Sequence, residues 1–235
     1  MQGFESGSQQ ELLDFLSQFV SPHKRALIEE VLESRTRFLT VVLEDVFQSH
    51  NACASLRTCE ALGVQDVHVI ENRYPFDIAR DVTLGASHWL SIERYQGETD
   101  STAACLNRLK SEGYRIVATT PHGDARPMHE LPITTKTAFL FGHENDGLSE
   151  TALHMADDRI QIPTVGFMES LNLSVSVAVI LQHFTHLLRQ SDLSWRLTQE
   201  ERETLRLRWV RRITRRWRDS LEADFKNRNA AAART

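Results

Sequence analysis

The chain has 235 residues, 41% of them hydrophobic, and a net charge of −5. That length suits one α/β domain with terminal additions, and no apolar run approaches the roughly 18 residues of a membrane span. The opening residues are polar and acidic rather than leader-like, and three cysteines, Cys53, Cys59 and Cys105, fit reduced thiols better than a disulfide framework. The expectation is a cytoplasmic protein.

The first predicted element is a helix over 11–20, with an apolar stripe of Leu12, Leu13, Phe15, Leu16, Phe19 and Val20. Ser21-Pro22 then reads as a cap and first-turn proline for a second helix ending near Ser34. From Phe38 the pattern alternates. Strands are predicted near 39–46, 67–71, 88–93, 115–120, 137–141 and 158–162, and helices near 52–62, 100–112, 149–156 and 171–188. Gly63 and Gly113 are placed to cap two of these helices at their C-termini. The stretch from Asn72 to Gly85 reads as a loop with at most a helical turn. Alternating β and α elements imply a mostly parallel sheet with helices on both sides.

The helix after Ile162-Pro163 is apolar on most faces and is expected to be buried, carrying Ser170 and Asn172 into the interior or a cleft. Gly166 is read as the residue that lets the chain turn before it, and Ser170 or Asn172 as its cap.

The charge is unevenly distributed. From Arg196 onward there are 12 basic and 6 acidic residues, leaving 15 basic and 26 acidic in the rest of the chain. An acidic body with a basic arm suits local capture of a polyanion. In that arm Leu205, Trp209, Ile213, Trp217, Leu221 and Phe225 recur at every fourth residue, with arginines between them. Four residues overshoot a helical turn by roughly 40°, so the stripe must wrap a curved surface or belong to two helices.

Several chemistries lack support. There is no GxGxxG, no GxxxxGK[ST] and no Gly-x-Ser-x-Gly elbow. His50-x2-Cys53 and His183-x2-His186 lack the second ligand pair of a zinc site, so no metal is expected.

Three strand–loop–helix junctions instead carry polar residues toward one crevice at the C-terminal ends of parallel strands. Asn51 with Arg57-Thr58, Phe141-Gly142-x-Glu144 with Gly147-Leu148-Ser149, and Ile162-Pro163 with Ser170-Leu171-Asn172-Leu173-Ser174-Val175 resemble the three motifs of the SpoU branch of the SPOUT RNA methyltransferases. The order and separations fit, and the resemblance spans about Leu39 to Leu188. Phe47-Gln48-Ser49-His50 departs from the lysine-proline-histidine run that often precedes the asparagine in that family.

The resemblance implies a SPOUT-type α/β fold with a deep C-terminal trefoil knot, S-adenosylmethionine as cofactor, an RNA ribose 2′-hydroxyl as methyl acceptor, and a homodimer. It places Arg57, Asn51, Glu144, Ser170 and Asn172 at the catalytic positions and Thr119, Gly142, Ile162 and Leu171 around the cofactor. A guanidinium is a poor base, so Arg57 is read as gripping the substrate phosphate and orienting the hydroxyl, with deprotonation as a further role. Asn51 can equally cap a helix, and Glu144 can fix either Arg57 or a loop amide.

The implied division is an N-terminal helical extension, 1–38, a methyltransferase domain, 39–190, and a basic helical extension, 191–235. Short leading helices and a helical tail resemble the branch members that methylate the D-loop guanosine at position 18 of tRNA. The competing readings are a SpoU enzyme acting on ribosomal RNA or another tRNA position, a non-catalytic SPOUT-fold RNA-binding factor, and a flavodoxin-like small-molecule binding module. The last explains the βα alternation but neither the three motifs nor the basic tail.

Overall fold

The computed structural model describes residues 6–76, 83, 85–97 and 99–232. The contacts divide it into two compact units, one of residues 36–196 and one formed by residues 1–35 together with 197–235.

The larger unit is built on seven strands: β1 (Leu39–Glu44), β2 (Asp66–Glu71), β3 (Ser91–Gln96), β4 (Arg115–Thr119), β5 (Arg126–Pro127), β6 (Thr137–Phe141) and β7 (Asp158–Gln161). They pair in the order β3-β2-β1-β6-β4-β7-β5, and every pair is parallel. Because β1 and β6 lie inside the sheet and are covered on both faces, they read as continuous apolar runs, and all of their residues are buried. Thr40 is tolerated there because its hydroxyl donates to the Asp66 carbonyl at 2.7 Å.

Side chains alternate across the sheet and fill two cores. On one face Leu39, Val41, Leu43, Phe139 and Phe141 meet α3 (Ser49–Ala61) and α6 (Leu173–Gln190). Phe184 of α6 stacks on Phe139 with ring centroids 4.7 Å apart, and full burial of a side chain of this size contributes about 1.5–3 kcal/mol. On the other face Val42, Ile116, Ala138 and Leu140 meet α4 (Ser101–Ser111) and α5 (Glu150–Met155). Helices thus cover both sides of the parallel sheet, as the alternation implies.

The element boundaries differ from the sequence reading mainly at ends. The third strand starts three residues later than predicted, because Ala86–His88 forms a 3-10 turn before it. The two-residue β5 escapes any periodicity argument, and its Pro127 is tolerated because β5 is an edge strand. Gly63 and Gly113 follow α3 and α4 with φ of +78° and +84°, the left-handed geometry of helix C-caps. Of the stretch read as a loop from Asn72 to Gly85, residues 77–82 and 84 lie outside the described residues.

Two expectations about the last helix of this unit fail. Gly166 does not adopt the left-handed region, so nothing in its backbone demands glycine. Nor is α6 wholly buried. Val177, Ile180, Leu181, Phe184 and Leu188 face the core, whereas Val175 and Leu187 face solvent.

The smaller unit packs α1 (Ser6–Ser17), α2 (Pro22–Ser34), α7 (Gln199–Ile213) and α8 (Arg218–Ala232). Helix α1 begins earlier than predicted and gives way at Gln18–Val20 to a tighter turn, whose amides bond three residues back. Ser21 caps α2 by accepting from the Lys24 amide, and Pro22 occupies its first turn as expected.

The C-terminal stripe resolves into two helices. Thr214, Arg215, Arg216 and Trp217 form the turn between α7 and α8, and the Thr214 hydroxyl donates to the Val210 carbonyl. Breaking the helix lets Leu205 and Trp209 of α7 and Leu221 and Phe225 of α8 all reach the interior, which one straight helix with this spacing could not do. Trp217, at the corner, is left 60% exposed. Arg35 is buried with its guanidinium 5.4 Å from the centre of the Trp209 ring, a cation–π contact.

Candidate active site

Three loops leave the sheet at the C-terminal ends of β1, β6 and β7, and they carry most of the residues singled out above. The β6–α5 loop is the tightest. His143 and Gly147 exchange both main-chain hydrogen bonds, at 3.0 and 2.9 Å, and Gly147 is left-handed with φ +73°. A Cβ on Gly142 would collide with the Gly147 carbonyl, so only glycine fits at the strand exit. The loop's side chain of consequence is Glu144.

Glu144 reaches the β1–α3 loop rather than Arg57. Its carboxylate accepts from the amides of Phe47 at 3.1 Å and Gln48 at 3.2 Å, and from Asn51 Nδ2 at 2.9 Å. Partial burial pushes its pKa upward, but the hydrogen bonds from Asn51 and the main-chain amides outweigh that and hold it below the usual glutamate value. A carboxylate kept ionised in this way anchors the loop and is a weak proton acceptor.

Asn51 lies inside the first turn of α3, whose N-cap is Gln48, so its side chain is not spent on capping. It is buried, donating to Glu144 while its Oδ1 accepts from Asn172 Nδ2 at 3.1 Å. Asn172 is the N-cap of α6, and its own Oδ1 accepts from the Ser174 amide at 2.9 Å. Asn51, Glu144 and Asn172, one from each motif, therefore form one hydrogen-bonded set.

Ser170 stands apart from it. Ser170 lies exposed in the loop before α6 and Asn172 is exposed at the cap, contrary to the expectation that the helix would carry both inward, and among the described residues Ser170 has no side-chain partner. Arg57 is also exposed, on α3 two turns beyond Asn51, and makes no ion pair among the described residues. The structure thus leaves the guanidinium available to an incoming anion.

Thr119, Gly142 and Ile162 lie at or just beyond the ends of β4, β6 and β7, three strands adjacent in the sheet. The Thr119 hydroxyl donates to the Leu140 carbonyl at 2.6 Å, and Ile162 packs against the core. Leu171 is exposed beside the Asn172 cap. From Thr164 to Leu171 no main-chain group bonds to another among the described residues, which leaves a run of amides and carbonyls open beside the rim. Small or apolar side chains at strand ends, with open main-chain donors and acceptors next to them, fit the adenosine and methionine parts of a nucleoside cofactor.

Two acidic residues were missed. Glu44, at the end of β1, is buried and accepts from the Ser149 amide and hydroxyl at 2.9 and 2.7 Å and from the Thr102 hydroxyl, so it holds the start of α5. Asp45 follows with φ +50° and accepts from the amides of Asn72 and Arg73 at 2.8 Å each. Their signal was present in the sequence: two consecutive carboxylates ending an apolar strand must find donors or leave the sheet.

Comparison with known proteins places this geometry. The SpoU rRNA Methylase family model matches residues 38–182. A protein of Borreliella burgdorferi named tRNA (guanosine(18)-2′-O)-methyltransferase is 42% identical over 202 residues, covering 86% of this chain and 91% of the relative. A Thermus thermophilus protein of the same name is 39% identical over 158 residues, 67% of this chain and 79% of the relative. Among solved structures, the Aquifex aeolicus TrmH/SpoU tRNA modifying enzyme superposes with a TM-score of 0.72 at 29% identity, over 80% of this chain and 95% of that one. With its motif residues assembled at the ends of a parallel sheet and these likenesses along most of its length, the chain belongs to the SpoU methylase family.

Proposed function

We propose that this protein methylates the ribose 2′-hydroxyl of the D-loop guanosine at position 18 of tRNA, using S-adenosylmethionine. The observation that carries the reading is the Asn51–Glu144–Asn172 set, which ties one residue from each of the three motifs together beside the C-terminal ends of the strands. The tRNA position follows from relatives bearing that activity in their names at up to 42% identity.

When bound, S-adenosylmethionine supplies an electrophilic methyl group. Thr119, Gly142, Ile162 and Leu171 are assigned to holding it. Arg57 is assigned to gripping a substrate phosphate and orienting the hydroxyl, for which a forked guanidinium is well shaped. Asn51, Glu144 and Asn172 keep the loops in register, and Ser170, exposed in the loop before α6, is assigned to contacting substrate or cofactor. The depressed pKa of Glu144 argues against its serving as the base.

The reading includes a deep trefoil knot around the cofactor loops, cytoplasmic location and a homodimer. Val165, Phe167, Met168, Leu171, Val175 and Leu187 expose apolar side chains along the loop before α6 and on that helix, and a second copy is the covering such a patch calls for. We further assign residues 1–38 and 191–235 to binding tRNA, and 39–190 to catalysis.

Incubation with unmodified tRNA transcript and labelled cofactor, followed by nucleoside mass spectrometry and mapping, tests the proposal. Gm at position 18 is expected. Methylation only elsewhere, or none by protein that binds cofactor, would overturn it.

A further inference from the structure

Beside the Asn51–Glu144–Asn172 set lies a group of three rings that the chemistry above does not use. Phe47 follows β1, Tyr74 follows β2 and His143 follows β6, so all three stand on one rim of the sheet. Tyr74 stacks on His143, with centroids 5.4 Å apart and planes 24° from parallel. Phe47 meets Tyr74 edge-on at 5.1 Å and lies 6.0 Å from His143.

The two supporting rings are themselves held. The buried His143 accepts the amides of Asn145 and Asp146 on Nδ1, both at 3.1 Å, which puts the ring proton on Nε2. Tyr74 follows the segment whose amides bond to Asp45, and the Arg73 guanidinium lies 5.5 Å from its ring centre while pairing with Asp146 at 2.9 Å. Phe47 is fixed through its main chain, by the amide it donates to Glu144. The residue is nevertheless 61% exposed. An aromatic ring held at a set angle, with much of its surface in water, next to the set that joins the motif loops, is built to receive another flat surface.

We propose that Phe47 is the stacking surface for the base of the nucleotide whose ribose is methylated, with Tyr74 and His143 as its positioning residues. This inference rests on the functional reading above. A ribose inside a folded tRNA loop reaches the site only when its nucleotide leaves the neighbouring stack, and the stacking lost must be replaced on the protein. Phe47 shares a carboxylate with Asn51, so the base platform and the first turn of α3, the helix that carries Arg57, are tied to one group, Glu144.

The test uses the full-length protein with Phe47→Leu, which keeps an apolar side chain but no flat face, and Phe47→Tyr, which restores the face. The main-chain bond to Glu144 survives in both, and cofactor calorimetry checks that each variant is folded. Methyl transfer to tRNA transcript gives KM and kcat, and a transcript with 2-aminopurine at position 18 reports stacking through its fluorescence. The expected result is a KM for tRNA raised about 5- to 100-fold in Phe47→Leu, with cofactor affinity unchanged and the protein-induced quenching lost; Phe47→Tyr recovers both. Wild-type KM and quenching in Phe47→Leu would overturn the platform while leaving the methyltransferase reading intact. A change of oligomeric state in light scattering would also overturn it, by making the ring part of a subunit contact. Failure of the unaltered protein to methylate position 18 would instead overturn the functional reading, and this inference with it.

Discussion

Asn172 donates a hydrogen bond of 3.1 Å to Asn51 across 121 positions of sequence. That bond joins the cap of α6 to the first turn of α3, and Asn51 passes it on to Glu144. A helix cap thereby becomes part of the site, because the same amide that ends one structural problem, the open N–H groups of a helix start, positions the other two loops.

Replacing Asn51 by Asp tests this chain of bonds. The new carboxylate would face Glu144 inside a buried first turn, and the pair would retain a proton in the folded state. Its folded pKa then rises above the unfolded value, so stability is preserved at low pH and lost as pH rises. A deficit of about 2 kcal/mol or more at pH 8, shrinking on acidification, is expected from urea unfolding. A deficit independent of pH would mean that the two groups do not meet.

Glu144→Gln probes the same set from the carboxylate's side, and its gap to wild type runs in the same direction with pH. The carboxylate's pKa is depressed in the folded protein, so its contribution is present above the unfolded glutamate pKa and lost as pH falls through the folded value. The stability gap between the wild-type protein and Glu144→Gln should be widest near neutrality and should close on acidification. Loop hydrogen exchange at Phe47 and Gln48 should rise in the variant across the neutral range.

Arg57→Ala and Arg57→Lys should bind S-adenosylmethionine normally, since the residue is exposed on α3 and has no role in packing. Methyl transfer should fall by about 100-fold or more in both, because lysine has neither the fork nor the planarity of the guanidinium. Near wild-type turnover in Arg57→Ala would move the substrate grip to another cation.

The helical arm divides its arginines between structure and surface. Arg206 pairs with both oxygens of Glu29 at 2.6 Å and Arg211 with Glu222 at 2.9 Å, whereas Arg215 and Arg216 are exposed in the α7–α8 turn beside Trp217. Arg215→Gln with Arg216→Gln should weaken tRNA binding and flatten its dependence on log salt by about 0.7 to 0.9 per lost phosphate contact, without changing cofactor affinity. Arg211→Gln should act mainly on stability. Filter binding across salt and thermal unfolding separate these effects, and an unaltered salt slope in the turn variant would assign tRNA binding elsewhere.

The sequence by itself determined the local elements and the motif residues. Strand β1 was legible because a strand covered on both faces must be apolar throughout, α2 because Ser21-Pro22 starts a helix, and α5 because Ser149 caps it. The spacing of Leu205, Trp209, Leu221 and Phe225 even posed the choice between a wrapped helix and two helices. What only the tertiary structure decided were relations at long range. Whether Glu144 would hold Arg57 or the Phe47 and Gln48 amides, which side of α6 faces the core, and how Phe47, Tyr74 and His143 gather on one rim all depend on strand order. Strand order is set by how buried surfaces fit together, and the periodicity of a single segment carries no record of its partner.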